Sequence, residues 1–580
     1  MVAGATEDDI AATNARVVAR FGMRCRRLGE AGALWMGHEH ASVELDGRGV
    51  VIGSLFLPGR KRMAADLGSE MCKHVADTLG DGLVRSCWGG YVAIISDHEG
   101  SRISVLRAPM GDLPCYIVSR GTMVAVASDV ALLIASGAER PAVDWSAVAR
   151  HLAAPHVRQP ETCLAGVTEL PGGHRLTIDG GAVIAAERWS PWESAAPERR
   201  IDDPTEARQR LRHAIEHSVA MLAADQPRIV LKLSGGLDSS IVAAALASAG
   251  GNFDCLNLVT DDATGDERRY AELAAYAAGR PLLERRRVVD DVALDRSAAW
   301  RLPRPTVRAF TQASALAVAE VATSAGATAV FDGGGGDNVF CSLQSIRPVI
   351  DCLLDERGRH ASIATARSVA TLAQVSVWTV VRRAWAGRRR WAKTYPWPDD
   401  HRLLTTSAID ASTRATAHPW FVAPDDALPG KAAHVALIAQ AQSVVEGFDA
   451  EDALPTYSPL LAQPVVEACL KLPSWLWYDG PLNRAAARAA FADMLPPAIT
   501  HRASKGSPDG FIADLYERNR LQIRSLLIGG ELARHGLVDE PAILAMLDDP
   551  RPVVGHAHLR ILQLVDVEAW ARSWAGGEPI

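Results

Sequence analysis

No run of some eighteen apolar residues occurs anywhere in this 580-residue chain, so no segment reads as a membrane-spanning helix. The opening stretch, Met1 to Asp9, is acidic and lacks an apolar core, which argues against a signal peptide. The nine cysteines stand singly between Cys25 and Cys469 without a CxxC pair, which excludes a disulfide scaffold and a thiolate zinc site. His38-Glu39-His40 sets two imidazoles on one face of a strand, but spacing supplies no further zinc ligands. A basic excess is also missing: the formal charge of −7 argues against a broad nucleic-acid footprint. What remains is an ordinary folding composition, 48% hydrophobic and 22% charged, without repeats or low-complexity tracts. The length calls for two or three domains. The expectation is a cytoplasmic protein with neither membrane nor nucleic-acid partner.

The first two hundred residues carry short apolar or β-branched runs punctuated by Gly, Asp and Pro, such as Val50 to Leu57, Tyr91 to Ile95, Arg102 to Leu106 and Met123 to Ala127. That pattern predicts an antiparallel sheet domain. Pro171-Gly172-Gly173-His174 and the following residues to Gly181 predict a turn and a hairpin, and Ser194 to Arg200 a polar linker. Beyond it the period changes. A helix over about Thr205–Ala224, a strand at Arg228–Leu233, an Ala-rich helix at Ser239–Ala249 and a strand at Cys255–Thr260 begin a βα alternation that ends at Phe331. Asp266 stands as the N-cap of a helix opening at Glu267. Such alternation implies a parallel sheet with helices on both faces. From about residue 343 the chain reads as nearly all helical, and residues 343–430 form a helical insertion.

The most informative string is Leu231-Lys232-Leu233-Ser234-Gly235-Gly236-Leu237-Asp238-Ser239-Ser240, an apolar strand entering a hydroxyl- and glycine-rich turn that opens a helix. Gly235 and Gly236 allow the backbone to approach a polyphosphate, and Ser234, Ser239 and Ser240 can donate to its oxygens. Asp238 is repelled by phosphate, so its sensible role is to hold Mg²⁺. The lysine of a GxxxxGK[ST] loop is missing, which excludes a γ-phosphate site of the kinase type. The loop resembles the PP-loop of ATP pyrophosphatases. A second loop, Asp332-Gly333-Gly334-Gly335-Gly336-Asp337-Asn338, follows the strand ending at Phe331. Its glycines predict close approach of backbone to ligand, with Asp337 as a second Mg²⁺ ligand. Val259, closing the intervening strand, joins the nucleotide-contact set.

These loops, with Leu106 to Tyr116, Ala127-Ser128-Asp129, Pro171 to His174, Tyr457-Ser458-Pro459-Leu460-Leu461 and His501-Arg502-Ala503-Ser504-Lys505-Gly506, make the chain resemble the asparagine synthetase-like superfamily over nearly its whole length. The resemblance implies an α/β and α+β chain. Residues 1–195 would be an Ntn-hydrolase-like antiparallel β sandwich of the glutamine amidotransferase type. Residues 200–580 would be a PP-loop, adenine nucleotide alpha hydrolase-like synthetase domain with a doubly wound parallel sheet and a helical extension. The departures are informative. A glutamine-hydrolysing member carries a cysteine directly after the initiator Met, whereas residue 2 is Val and the nearest cysteine is Cys25. The family's GEGxDE loop loses both glutamates, and the Asp of its PFLD motif is Ala462.

An adenylating site without an ammonia source implies that the amine belongs to the substrate, as in β-lactam synthetases and lasso peptide macrolactam synthetases. Gly334 stands where the former carry Tyr, and the runs Gly334–Cys341 and Tyr457–Pro464 look closer to the latter. The expectation is a lasso peptide cyclase that uses ATP and Mg²⁺ to adenylate an Asp or Glu side chain of a core peptide. The peptide's α-amine then closes an isopeptide ring, with release of pyrophosphate and AMP. A small-molecule amide synthetase of the β-lactam or asparagine type, and an inactive nucleotide-binding scaffold, are the alternatives. By resemblance Lys505, beside Arg502, stabilises the adenylate and tetrahedral intermediate, and Glu446 is the base, with Glu451 as competitor. The implied partners are the ribosomal precursor peptide, a leader peptidase and a leader-binding protein. The Arg/Trp stretch from Arg382 to Trp391 is a solvated helix face or a docking surface.

Overall fold

The computed structural model describes residues 1–29, 32–37, 41–60, 62–260, 265–391, 393–412, 418–443, 454–503, 506, 508–551 and 556–576. The N-terminal half is a sandwich of two six-stranded sheets. One sheet centres on Val2–Ala3, which pairs antiparallel with Gly32–Met36 and Met123–Ala127. The other runs from Ala182–Glu187 through His174–Asp179, Arg102–Arg107, Tyr91–Ser96 and Gly49–Gly53 to Ser42–Glu44. The facing sides bury Val50, Ile94, Val105, Val126 and Leu176 between the sheets. Each such aliphatic contributes about 1.5–3 kcal/mol by leaving water. The helices Glu7–Phe21, Val130–Ala135 and Trp145–Ala153 cover the first sheet's outer face, and Ser69–Asp77 and Asp81–Ser86 the second's. The hairpin after His174 turns through Gly180 and Gly181, both at positive φ, which is the geometry a two-residue connection requires.

The stretch between the halves, read as a polar linker, is locally ordered. Pro191–Ala195 is a short helix and Pro197–Arg199 a 3-10 turn, and Trp192 donates its indole N–H to Trp420 O at 3.0 Å. Pro at the first helical position and this anchor order residues whose composition reads as loop.

The C-terminal half holds a five-stranded parallel sheet in the order Leu282–Arg286, Phe253–Val259, Ile229–Lys232, Ala329–Phe331, Thr456–Tyr457. Strand order runs outward in both directions from Ile229–Lys232, so the crevice beside that strand's C-terminal end is the topological switch point where ligands bind in such sheets. The helix after Phe253–Val259 spans Arg268–Ala277, one residue later than expected, and Glu267 stands at its cap position without capping it through its side chain. Asp266 still accepts from Arg268 N at 3.0 Å. Residues 343–430 contain the helices Arg347–Leu354, Ser362–Ala373, Val377–Gly387 and Thr406–Ser412.

The halves share a broad interface. The final helix Ala557–Ala575 is buried on nearly every side and packs in one core with Val2, Val148 and Leu152. Glu169 of the first half binds Arg107 and Arg158 and, across the junction, Arg304 at 2.5 Å. Arg158 also donates to Gln442 O at 2.9 Å. No helix among the described residues is long and apolar enough to cross a membrane.

Candidate active site

Both glycine loops emerge at the switch point, one from Ile229–Lys232 and one from Ala329–Phe331. Leu237–Ser248 opens directly after Gly236, so its first amides face the crevice. The loop is internally braced: Ser234 N donates to Ser239 Oγ at 3.3 Å, Gly236 N to Ser234 Oγ at 3.3 Å, and Ser240 Oγ to Gly236 O at 2.7 Å. Gly235 has φ +72°, and a Cβ there would sit 2.4 Å from Ala271 N, so the position tolerates no side chain. Lys232, Ser234, Gly236, Asp238, Ser239, Gly333, Arg484, Arg488 and Arg502 line the cleft.

The second loop departs from its sequence reading. Its glycines make room for neighbouring protein. A Cβ on Gly333 would lie 2.5 Å from Ser239 N, on Gly336 2.4 Å from Asp238 Cγ, on Gly335 2.3 Å from Leu461 Cδ2 and on Gly334 2.8 Å from Ser458 Oγ. The run lets two loops and the segment after Tyr457 touch, and of the four only Gly333 lines the cleft. Asp332 anchors this contact. It accepts from Lys232 Nζ at 2.7 Å, from Ser458 Oγ at 2.7 Å and from Gly334 N at 2.9 Å. Burial works against its charge, but Lys232 and these hydrogen bonds more than offset it, and its carboxyl stays below the usual range.

Arg484 organises the acidic pair. One guanidinium nitrogen lies 3.0 Å from each Asp238 oxygen and 2.7 Å from Asp337 Oδ1. Two carboxylates converging on one cationic nitrogen fit the demands of a divalent cation as well. Asp238 and Asp337 are the residues that would hold Mg²⁺, with polyphosphate and water oxygens as the remaining ligands. No cluster of three His, Cys, Asp or Glu suited to a metal occurs among the described residues. Arg488, four residues on, donates to Thr500 O at 2.8 Å and to Asn483 O at 2.8 Å. Burial, helped by the neighbouring Arg484 charge, lowers its pKa to about 10. Arg484 and Arg488 escaped the sequence reading, although they stand four apart, at the cap of the helix Ala485–Ala490 and within it. Lys232 stood inside the quoted string without a role.

Arg502, read as catalytic, is held by Glu267 at 2.9 Å, lies 3.7 Å over the Tyr270 ring and reaches Gly235 O at 3.4 Å. These contacts join the cleft wall to the first loop. Gly506 N donates to the same Glu267 carboxylate at 2.9 Å. Lys505 lies outside the described residues, as do Glu446, Glu451 and His38-Glu39-His40. Val259 ends its strand at the same edge of the sheet, its carbonyl accepting from Arg287 N at 2.9 Å, and it does not line the cleft.

In the N-terminal half the thiols are buried apart from one. Val2 is buried in the central strand, and among the cysteines only Cys25, on an edge strand, is exposed. Burial pushes the Cys115 thiol up to about 12 and the Cys87 thiol to about 11, so neither is a thiolate near neutrality.

Family comparisons agree with this anatomy. The family model described as asparagine synthase matches residues 210–572, and that of a glutamine amidotransferase domain matches residues 59–190. A carboxyethyl-arginine beta-lactam-synthase of Streptomyces clavuligerus is 38% identical over 112 residues, which span 19% of this chain and only 20% of that relative. Two solved structures are far more distant. A glutamine phosphoribosylpyrophosphate amidotransferase from B. subtilis is 16% identical, covering 36% of this chain and 46% of that one at a TM-score of 0.15. A structure described as the allosteric regulatory enzyme of purine biosynthesis is 14% identical, covering 45% and 65% at a TM-score of 0.17. Neither of these two carries weight for the chemistry. With a matched model extending over more than half its length, the chain belongs to the asparagine synthase family, whose members are ATP-dependent amide-forming enzymes.

Proposed function

We propose that this chain is a lactam-forming synthetase that adenylates a carboxylate and closes it onto an amine of the same substrate. In its specific form we take it to be a lasso peptide cyclase. The observation that carries the reading is the pairing of a built anion cleft with an N-terminal half in which Val2 fills the central strand and every cysteine but the edge-strand Cys25 is buried. ATP supplies the activation: the carboxylate oxygen attacks the α-phosphorus, pyrophosphate leaves, and attack of the amine on the acyl carbon then expels AMP as one proton is lost.

The chain's own residues would serve both steps. Helix-terminal amides after Gly236, with the Ser234 and Ser239 hydroxyls, bind pyrophosphate oxygens, and Arg484, Arg488 and Lys232 balance their charge. Lys505 is assigned to the developing oxyanion and Glu446 to the amine proton by resemblance. Holding the amine against the acyl carbon makes the second step effectively unimolecular. A precursor peptide, a leader peptidase and a leader-binding protein are the partners this role requires.

A second reading has its own support. The local identity to the beta-lactam-synthase favours a small carboxylate substrate with an internal amine. The two separate on substrate: a leader-free peptide with a free α-amine and an internal Asp or Glu, against carboxyethyl-arginine. Dehydration of the peptide alone supports the cyclase, and turnover of the small molecule alone overturns it.

A further inference from the structure

From Arg357 to Pro398 the chain carries eight arginines and one lysine and no Asp or Glu, although its formal net charge is −7. Most of this segment forms a pair of helices in contact, Ser362–Ala373 and Val377–Gly387, packed on Arg347–Leu354. The second helix turns Val380 and Ala384 inward, with Gly387 close against Ile350. Its outer face carries Trp378, Arg382 and Trp385, four and three residues apart, with Trp378 81% and Trp385 58% exposed. Ile363 on the first helix is 67% exposed. The Arg388 guanidinium stacks on Trp385 at 3.2 Å. Large solvated indoles interleaved with arginines are what interface anchors look like before a partner covers them.

Two features select the occupant. The apolar side of the second helix is already consumed by packing, so it has no continuous apolar face to embed in a lipid surface. The first helix also packs against the hairpin Tyr478–Asp479 and Leu482–Asn483, and the next residue is Arg484 of the cleft. A chain lying on these helices is therefore one short hairpin away from the acidic pair.

We propose that this helical pair is the docking surface for an acidic peptide segment bearing apolar side chains, the non-reacting part of the substrate whose carboxylate enters the cleft. This rests on the peptide reading of the function. Tryptophans would pack the apolar residues, and the arginines would pair with Asp and Glu, giving an affinity that falls as salt rises.

The test is binding of a fluorescein-labelled peptide alternating Asp/Glu with Leu/Phe, read by anisotropy on the full chain. Trp378→Ala/Trp385→Ala and Arg382→Glu/Arg389→Glu should each weaken binding at least about tenfold, while Arg208→Glu on a remote helix leaves it unchanged. Should a double variant melt early, hydrogen exchange on the unaltered chain decides instead, with residues 362–390 protected by peptide. Peptide that does not bind, or binds the variants equally, overturns the proposal. So does dependence on these residues seen only with phosphatidylserine vesicles or an RNA oligonucleotide. Asp238→Ala separates this from the chemistry: it should retain peptide while losing pyrophosphate release. Helix-dependent binding without any pyrophosphate release by the unaltered chain would count against the catalytic reading and not against the surface.

Discussion

Arg484 shares one guanidinium nitrogen between both oxygens of Asp238, at 3.0 Å each, while also reaching Asp337 at 2.7 Å. The arginine occupies the point at which a metal would bring the two carboxylates together. Its backbone sits at φ +54°, a left-handed conformation that directs the residue from the hairpin into the cleft.

Arg484→Met removes the cation that competes for the acidic pair. The nucleotide-free variant should bind Mn²⁺ about tenfold more tightly by calorimetric titration, a change of ~1.4 kcal/mol. The same variant should lose pyrophosphate release, because the cation that balances the polyphosphate is gone. Unchanged Mn²⁺ affinity would show that the guanidinium does not guard the pair.

Gly235→Ala should destabilise the protein by about 1–3 kcal/mol and abolish nucleotide binding, since its Cβ would meet the Tyr270–Ala271 backbone. Gly536→Ala, at φ +66° in open space, is the control and carries only the left-handed cost of about 1–2 kcal/mol. Thermal melts with and without ATP compare the two.

Glu169 gathers Arg107, Arg158 and Arg304, and despite burial their charges hold its carboxyl far below the usual carboxylate range. Glu169→Gln should cost about 3–5 kcal/mol, because three buried guanidinium groups lose their counter-charge. A depressed folded pKa contributes stability that is complete above the unfolded value near ~4.3 and is lost as pH falls below it. Acid titration of stability should therefore show a smaller drop below that pH in the variant.

Asp351 has the opposite sign. Complete burial raises it to about 7, against hydrogen bonds from Ser474 Oγ at 2.6 Å and Gly430 N at 2.7 Å. Its raised folded pKa contributes stability that is full below the unfolded value near ~3.9 and is lost as pH rises toward 7. Asp351→Asn should flatten the stability profile between those limits, as measured by urea unfolding at several pH values.

Much of this architecture was legible in the residues. The short apolar and β-branched runs, the change to βα alternation at Arg228 and the Ser234–Ser240 string carry local signals that folding keeps. The cleft's cations were harder to read, because Arg484 and Arg488 reach it only after a long excursion through the helical segment. The glycine run misled for a related reason: sequence shows that a side chain is excluded but not by what, and the excluding neighbours are Ser239, Asp238 and Leu461. The residues from Ser194 to Arg200 read as a linker because their ordering comes from Trp192 meeting Trp420, a tertiary contact.

The central claim is adenylation followed by ring closure onto the substrate's own amine. It is tested most directly by incubating the chain with ATP, Mg²⁺ and a leader-free peptide carrying a free α-amine and an internal Asp or Glu, in buffer without glutamine or ammonia. The account predicts AMP, pyrophosphate and a peptide lighter by one water, all lost in Asp238→Ala. Release of ADP and phosphate, a requirement for ammonia, or unchanged pyrophosphate release by Asp238→Ala would contradict it.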